Sequence, residues 1–158
     1  MKVSIRKIPD RDKEQVIIEC VELTPEIADI RAYAELKGTE VFGIAEGQRM
    51  VRMRLEDIYY FEALDEKVFA YTKNQVCECK MRLYEAEEFY RNCHFVRCSK
   101  QVVLNLMLLE SISPALNGRF FAHMKNGEKL MISRQYAPAL RRIVMGGIEG
   151  HFGKQKES

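Results

Sequence analysis

Apolar positions along the chain alternate more often than they recur at a helical period. In MKVSIRKI, Val3 and Ile5 with Ile8 predict a half-buried strand, and QVIIECVEL predicts a second, more apolar one. Thr24-Pro25 then supplies a capping hydroxyl followed by proline at the first helical position. Ile27, Ile30, Ala34 and Leu36 continue at helical spacing, and Gly38 offers the left-handed residue that closes a helix. TEVFGIAEGQRMVRMRLEDI reads as two strands joined through Glu46-Gly47. DIYYFEA is aromatic and β-rich, while KVFAYTK and QVCECKM flank Asn74 as a hairpin. RLYEAEEFY is the one helical interruption, with Leu83, Ala86 and Phe89 or Tyr90 on one face. HFVRCSKQVVLNLMLLESIS has a strand-like centre. Asn117-Gly118 and Asn126-Gly127 then predict two type I′ turns that divide SISPAL, RFFAHMK and EKLMISR into a three-stranded meander. A short helix from about Tyr136 to Met145 precedes a glycine-rich, charged tail that frays.

The pattern predicts a mainly β protein, α+β overall. It has a small α+β unit over 1–48, a main antiparallel domain over 49–147 and a tail over 148–158. The first unit is too short to be a phosphorylatable receiver domain, which needs a doubly wound sheet of roughly 120 residues. With 158 residues, 47% hydrophobic and 30% charged, the chain has an ordinary globular balance that needs no metal or disulfide for stability. Its longest apolar runs, such as Val102-Val103-Leu104, are far too short to span a bilayer. The amino terminus is charged within seven residues and carries no secretory apolar region, so cytoplasmic placement is expected.

The net charge of +2 conceals an uneven distribution. Residues 1–50 hold eight Lys/Arg against ten Asp/Glu, whereas residues 91–142 hold nine against two. Such a block suits a phosphate-binding face, and equally a solvated basic surface. Five cysteines with no CxxC pair, and three scattered histidines, argue for free thiols and no metal. Cys77 and Cys79 point the same way from a strand, with nothing to complete a tetrahedral site. No phosphate loop, dinucleotide fingerprint, metalloprotease or nucleophile-elbow motif occurs, and no Cys/His/Asp or paired-carboxylate arrangement supports an enzyme or a cofactor. The helix-turn-helix and zinc-finger patterns are absent too, so a DNA reader would have to use loops or strands.

Six short pieces then recur in a fixed order: Ile58-Tyr59-Tyr60-Phe61-Glu62, Leu83-Tyr84-Glu85-Ala86-Glu87, Phe95-Val96-Arg97-Cys98-Ser99-Lys100, Val103-Leu104-Asn105, Asn126-Gly127 and Ser133-Arg134-Gln135-Tyr136. Together they resemble the LytTR DNA-binding domain family over about residues 51–145, in particular short bacterial regulators with a small N-terminal region in place of a receiver. The resemblance implies an elongated stack of small antiparallel sheets with a short helix. It also implies loops at one edge that enter successive major grooves and backbone contacts that bend the duplex.

By the same resemblance, Arg134 within Ser133-Arg134-Gln135-Tyr136 reaches base edges, where a guanidinium can engage guanine bidentately. Lys100 enters the second groove. Arg97 and Ser99 bind backbone phosphate, and Gln101 binds phosphate or base. The third contact falls in Ala63-Leu64-Asp65-Glu66-Lys67, unusually acidic here, where only Lys67 is a donor. Bland readings stand beside these. Arg134 could close the final helix, Lys100 could be a solvated loop tip, and Arg97 could bridge internally to Glu110 or Glu62. Tyr136, with a buried ring and tethered hydroxyl, and Asn105 read as structural, and Phe61, Phe95, Phe120 and Phe121 as core. Cations beside Cys98 would lower its pKa and make it redox-sensitive. The expected partners are double-stranded DNA, a second copy of the chain on repeated sites, and a small membrane protein that holds the regulator inactive. The N-terminal unit serves as dimerisation element or docking site. The alternative function is an interaction module whose basic face binds an acidic protein or lipid surface.

Overall fold

The structure is a computed structural model, which describes residues 1–36 and 38–146. Helix α1 (Pro25–Leu36) starts where Thr24 Oγ1 accepts from the Ile27 amide. Its buried face is Ala28, Ala32 and Leu36, one residue round from the expected Ile27 and Ile30. The alanines allow the helix to lie close against the turn Arg91–Cys93, and Ile30 is left outside. Before α1, neither expected strand forms. Residues 1–24 enter no sheet, and a single 3-10 turn at Arg11–Lys13 separates the two segments. The strand-forming composition is present, but neither segment pairs with the other or with an edge strand of either sheet.

From residue 40 the pattern is realised. Strands β1 (Glu40–Ile44), β2 (Met50–Arg54), β3 (Tyr60–Leu64), β4 (Lys67–Tyr71), β5 (Val76–Cys79), β6 (Phe95–Arg97) and β7 (Val102–Asn105) form an antiparallel sheet in the order β2-β1-β5-β4-β3-β7-β6. β1 therefore belongs to the same sheet as the strands beyond it. Its Gly43 is required there, because a Cβ would stand 2.6 Å from Cys77 Cβ. Helix α2 (Leu83–Phe89) links β5 to β6, with Leu83 and Ala86 buried; Tyr90 follows as part of the core and Phe89 faces outward. Strands β8 (Leu109–Pro114), β9 (Phe120–Met124) and β10 (Lys129–Ile132) form the expected meander, and α3 (Ala137–Gly146) ends the described chain. The 148–158 tail lies outside the described residues.

Two cores share the large sheet. Phe61 and Val103, paired across β3 and β7, face α2 with Phe95, Ala70 and Cys77. Their neighbours Tyr60, Val102 and Leu104 face the small sheet and α3, meeting Ala122, Met124, Ile132 and Leu140. β7 is thus covered on both sides, which is why its sequence runs apolar without alternation. Burying a side chain such as Phe61 contributes about 1.5–3 kcal/mol. Asn105, fully buried at the end of β7, is satisfied by backbone on the side of the first core: Nδ2 donates to the Ile58 carbonyl at 3.0 Å and Oδ1 accepts from the Met107 amide.

The two Asn-Gly turns differ. Asn117 and Gly118 both have positive φ (62° and 74°), as a type I′ turn needs. At the second turn only Gly127 does, with the Gly127 amide bonded to the Met124 carbonyl and the Met124 amide to the Glu128 carbonyl. That is a type I turn followed by a glycine bulge, one residue longer than expected, and Asn126 Oδ1 accepts from the Glu128 amide.

Candidate nucleic-acid interface

Antiparallel pairing of β3 with β7 puts the end of β3 beside the start of β7. The Ala63 amide donates to the Gln101 carbonyl at 2.8 Å, so the acidic β3–β4 turn and the Cys98–Gln101 loop lie together. The Ser133 amide donates to the Cys98 carbonyl at 2.9 Å, which brings the turn before α3 from the small sheet to the same end. The β8–β9 turn joins them: a Cβ on Gly118 would stand 3.0 Å from Arg134 Cγ and 3.1 Å from Cδ. Four segments distant in sequence therefore meet, and they carry Lys67, Arg97, Ser99, Lys100, Gln101, Ser133 and Arg134.

These residues are not equivalent. Lys100, Gln101 and Arg134 are exposed. Among the described residues neither Lys100 Nζ nor the Arg134 guanidinium pairs with a carboxylate. Gly118 gives the Arg134 stem a flat surface, and this fixes the base of the side chain while leaving its head in solvent. Ser99 Oγ accepts from the Gln101 amide at 3.2 Å and so shapes the loop tip. Ser133 Oγ is buried without a hydrogen-bond partner, and its backbone carbonyl accepts from the Tyr136 and Ala137 amides at the start of α3.

Arg97 is committed inside the protein. Its Nε donates to Glu87 Oε2 at 2.7 Å and its Nη1 to the Lys100 carbonyl at 2.7 Å, with the side chain only 16% exposed. The internal bridge expected to Glu110 or Glu62 runs instead to Glu87 on α2. The acidic face of LYEAEEFY offers three glutamates, and nothing local in the sequence singles this one out. Lys67 is also engaged: its ammonium lies 3.3 Å from Glu78, which Lys80 reaches at 2.6 Å. Hydrogen bonding by Lys80, with Lys67 adding to it, holds the Glu78 carboxyl below its usual range. The turn before Lys67 has both Asp65 and Glu66 at positive φ, a strained choice for residues other than glycine.

Cys98 is buried beneath this surface, and burial pushes its thiol up to about 12, outweighing the Arg97 guanidinium that would lower it. The expected activated thiol is therefore a protonated core group. Tyr136 is half-buried rather than tethered: it lines a cleft of about 550 Å³ between α2, β6 and α3 with Tyr84, Arg91, Arg97 and Leu140. Phe61 and Phe95 are core, but Phe120 and Phe121 are only partly buried. Arg141 lies 5.0 Å from the Phe120 ring centre and Lys129 4.3 Å from that of Phe121. Arg119 Nε is spent on the Leu116 carbonyl. Much of the basic block is thus held against the small sheet, and the loop end keeps Lys100 and Arg134 as its outward cations. Among the described residues no group of His, Cys, Asp and Glu could hold a metal ion, and no helix is long and apolar enough to cross a membrane.

Residues 48–145 match the family described as LytTr DNA-binding domain. An uncharacterised HTH-type transcriptional regulator of Staphylococcus aureus (strain bovine RF122 / ET3-1) is 29% identical over 89 residues, covering 56% of this chain and 60% of that protein. The sensory transduction protein LytT of Bacillus cereus is 26% identical over 123 residues, covering 74% of this chain and half of that protein. The chain thus spans 50–60% of the length of these relatives. Among solved structures, the LytTr DNA-binding domain of a putative methyl-accepting/DNA response regulator from Bacillus cereus superposes with a TM-score of 0.63 at 24% identity. The match covers 68% of this chain and 98% of that one, and shows a shared fold.

Proposed function

Because the chain belongs to the LytTr DNA-binding domain family, we propose that it is a sequence-specific regulator of transcription that reads successive major grooves of double-stranded DNA with loop residues and bends the duplex. The observation that carries this reading is the meeting of the Cys98–Gln101 loop with the turn before α3, which brings exposed Lys100 and Arg134 to one end of the molecule, neither paired with a carboxylate among the described residues. Arg134 engages guanine O6 and N7, and its stem is seated on Gly118. Lys100 enters the adjoining groove, while Ser99 and Gln101 contact the backbone; Ser133, with its hydroxyl buried and its backbone bonded to Cys98 and the start of α3, positions Arg134 instead. Arg97 positions the loop that carries Lys100. Lys67, beside an acidic turn and shared with Glu78, adds a weak third contact. A domain this size reads a short half-site, so two copies act on repeated sites in the cytoplasm. Residues 1–48 supply dimerisation or the docking site of a small membrane-protein inhibitor.

The test is a titration against the duplex upstream of the protein's own gene at several salt concentrations. With about 5–8 phosphates neutralised, log K should fall with log salt at a slope between roughly −4 and −7. A slope near zero would remove the reading and favour an acidic protein or lipid surface as the partner of the basic face.

A further inference from the structure

The N-terminal segments carry apolar side chains that the single chain never buries. Ile5 is 91% exposed and Val16 71%, and Val3, Ile17 and Val21 are also exposed. These residues are β-branched and sit in two stretches of strand-forming composition, which is not what a solvated tail selects. Their charges are sorted as well. Residues 2–8 carry Lys2, Arg6 and Lys7 with no acid, and residues 14–23 carry Glu14, Glu19 and Glu22 with no base. Within one chain the segments make no backbone hydrogen bond to each other among the described residues, although the Arg11–Lys13 turn lies between them.

We propose that residues 2–8 of one copy pair as a β-strand with residues 14–23 of a second copy, and reciprocally, so that the N-terminal segments form an intermolecular antiparallel sheet. A two-fold axis makes both pairings at once, with the basic strand of each protomer against the acidic strand of its partner. Alternate backbone groups of each segment gain a ladder partner, and Val3 and Ile5 of one copy share a face with Ile17 and Val21 of the other. The occupant is a second copy because the two charge patterns complement each other and no third partner is needed to balance them. Formation requires no DNA. Its use, two domains held on repeated half-sites, rests on the function proposed above.

Sedimentation of the full chain without DNA tests this. The wild type should sediment at twice the mass of one chain at micromolar concentration. Ile5→Asp/Ile17→Asp should sediment as one chain with less far-UV strand signal but an unchanged near-UV aromatic spectrum, since neither residue belongs to either core. Arg6→Glu/Lys7→Glu and Glu19→Lys/Glu22→Lys should each weaken the dimer at least about tenfold, and an equimolar mixture of the two should restore it. A wild type that stays monomeric, a double aspartate variant that stays dimeric, or a mixture that does not recover would each overturn the interface. Titration of the aspartate variant on a single half-site separates the two readings. Retained binding there with a failed interface leaves the DNA-reading function standing, whereas a wild type that binds no duplex defeats that function and leaves the dimer to be judged on mass alone.

Discussion

Arg97 and Arg134 stand at one end of the molecule on two segments joined by the bond from the Ser133 amide to the Cys98 carbonyl, yet they are put to opposite uses. Arg97 leaves a strand of the large sheet, is largely buried and gives its donors to Glu87 and the Lys100 carbonyl. Arg134 leaves the small sheet in a turn, is exposed, and is supported only along its stem by Gly118. A guanidinium whose fork is already occupied cannot read a base edge, and one whose fork is free can. The first therefore fixes where a loop sits, and the second is available for what the loop end touches.

The largest effect should come from disturbing the scaffold that both segments share. His94, buried just before β6, has its pKa lowered to about 4 by burial. The folded form resists protonation that the unfolded chain accepts at its ordinary value of 6.5, so this stability is complete above that pH and is lost as pH falls from there towards 4. Chemical denaturation across that window should show a decline of up to about 3 kcal/mol, with cognate and scrambled DNA affinities falling together. A flat profile would mean that His94 is not held neutral.

Next in size is Arg134→Ala, which should lose about 1–3 kcal/mol on the cognate duplex and little on a scrambled one. Equal losses on both would make Arg134 a phosphate clamp and erase its contrast with Arg97. Glu87→Ala, read by the same titrations and by thermal unfolding, should behave differently. Releasing the Arg97 guanidinium should cost about 1 kcal/mol of stability and lower both affinities together, because the loop is loosened without loss of a base contact. A selective loss on cognate DNA would instead mean that Arg97 carries sequence information. The smallest change should be Lys125→Ala, one residue before the Asn126-Gly127 turn. It should weaken both duplexes slightly and reduce the salt slope by at most about one unit.

Much of this architecture was legible in short stretches of sequence. Aromatic, β-rich composition placed β3, alternation placed β4 and β5, the Asn117-Gly118 turn placed the β8–β9 hairpin, and Thr24-Pro25 placed the start of α1. Each rests on interactions within a few residues or with the next strand. Strand-forming composition over residues 3–8 and 16–23 produced no strand, because a strand also needs a partner, and neither segment pairs with the other or with an edge strand of either sheet.

Local pattern also determined which residue types stand in the loops, including Lys100, Arg134 and the acidic Asp65-Glu66 turn. Only the tertiary structure decided their uses. Glu87 captures Arg97 because α2 packs over β6, a relation between elements that no spacing along the chain encodes. Gly118 supports Arg134 because two turns of the small sheet meet in space. Cys98 is inert because two sheets close over it, and burial raises the thiol pKa more than the neighbouring guanidinium lowers it. Sequence fixes periodicity and chemistry through near neighbours, whereas desolvation and charge pairing depend on groups that only folding brings within a few ångströms.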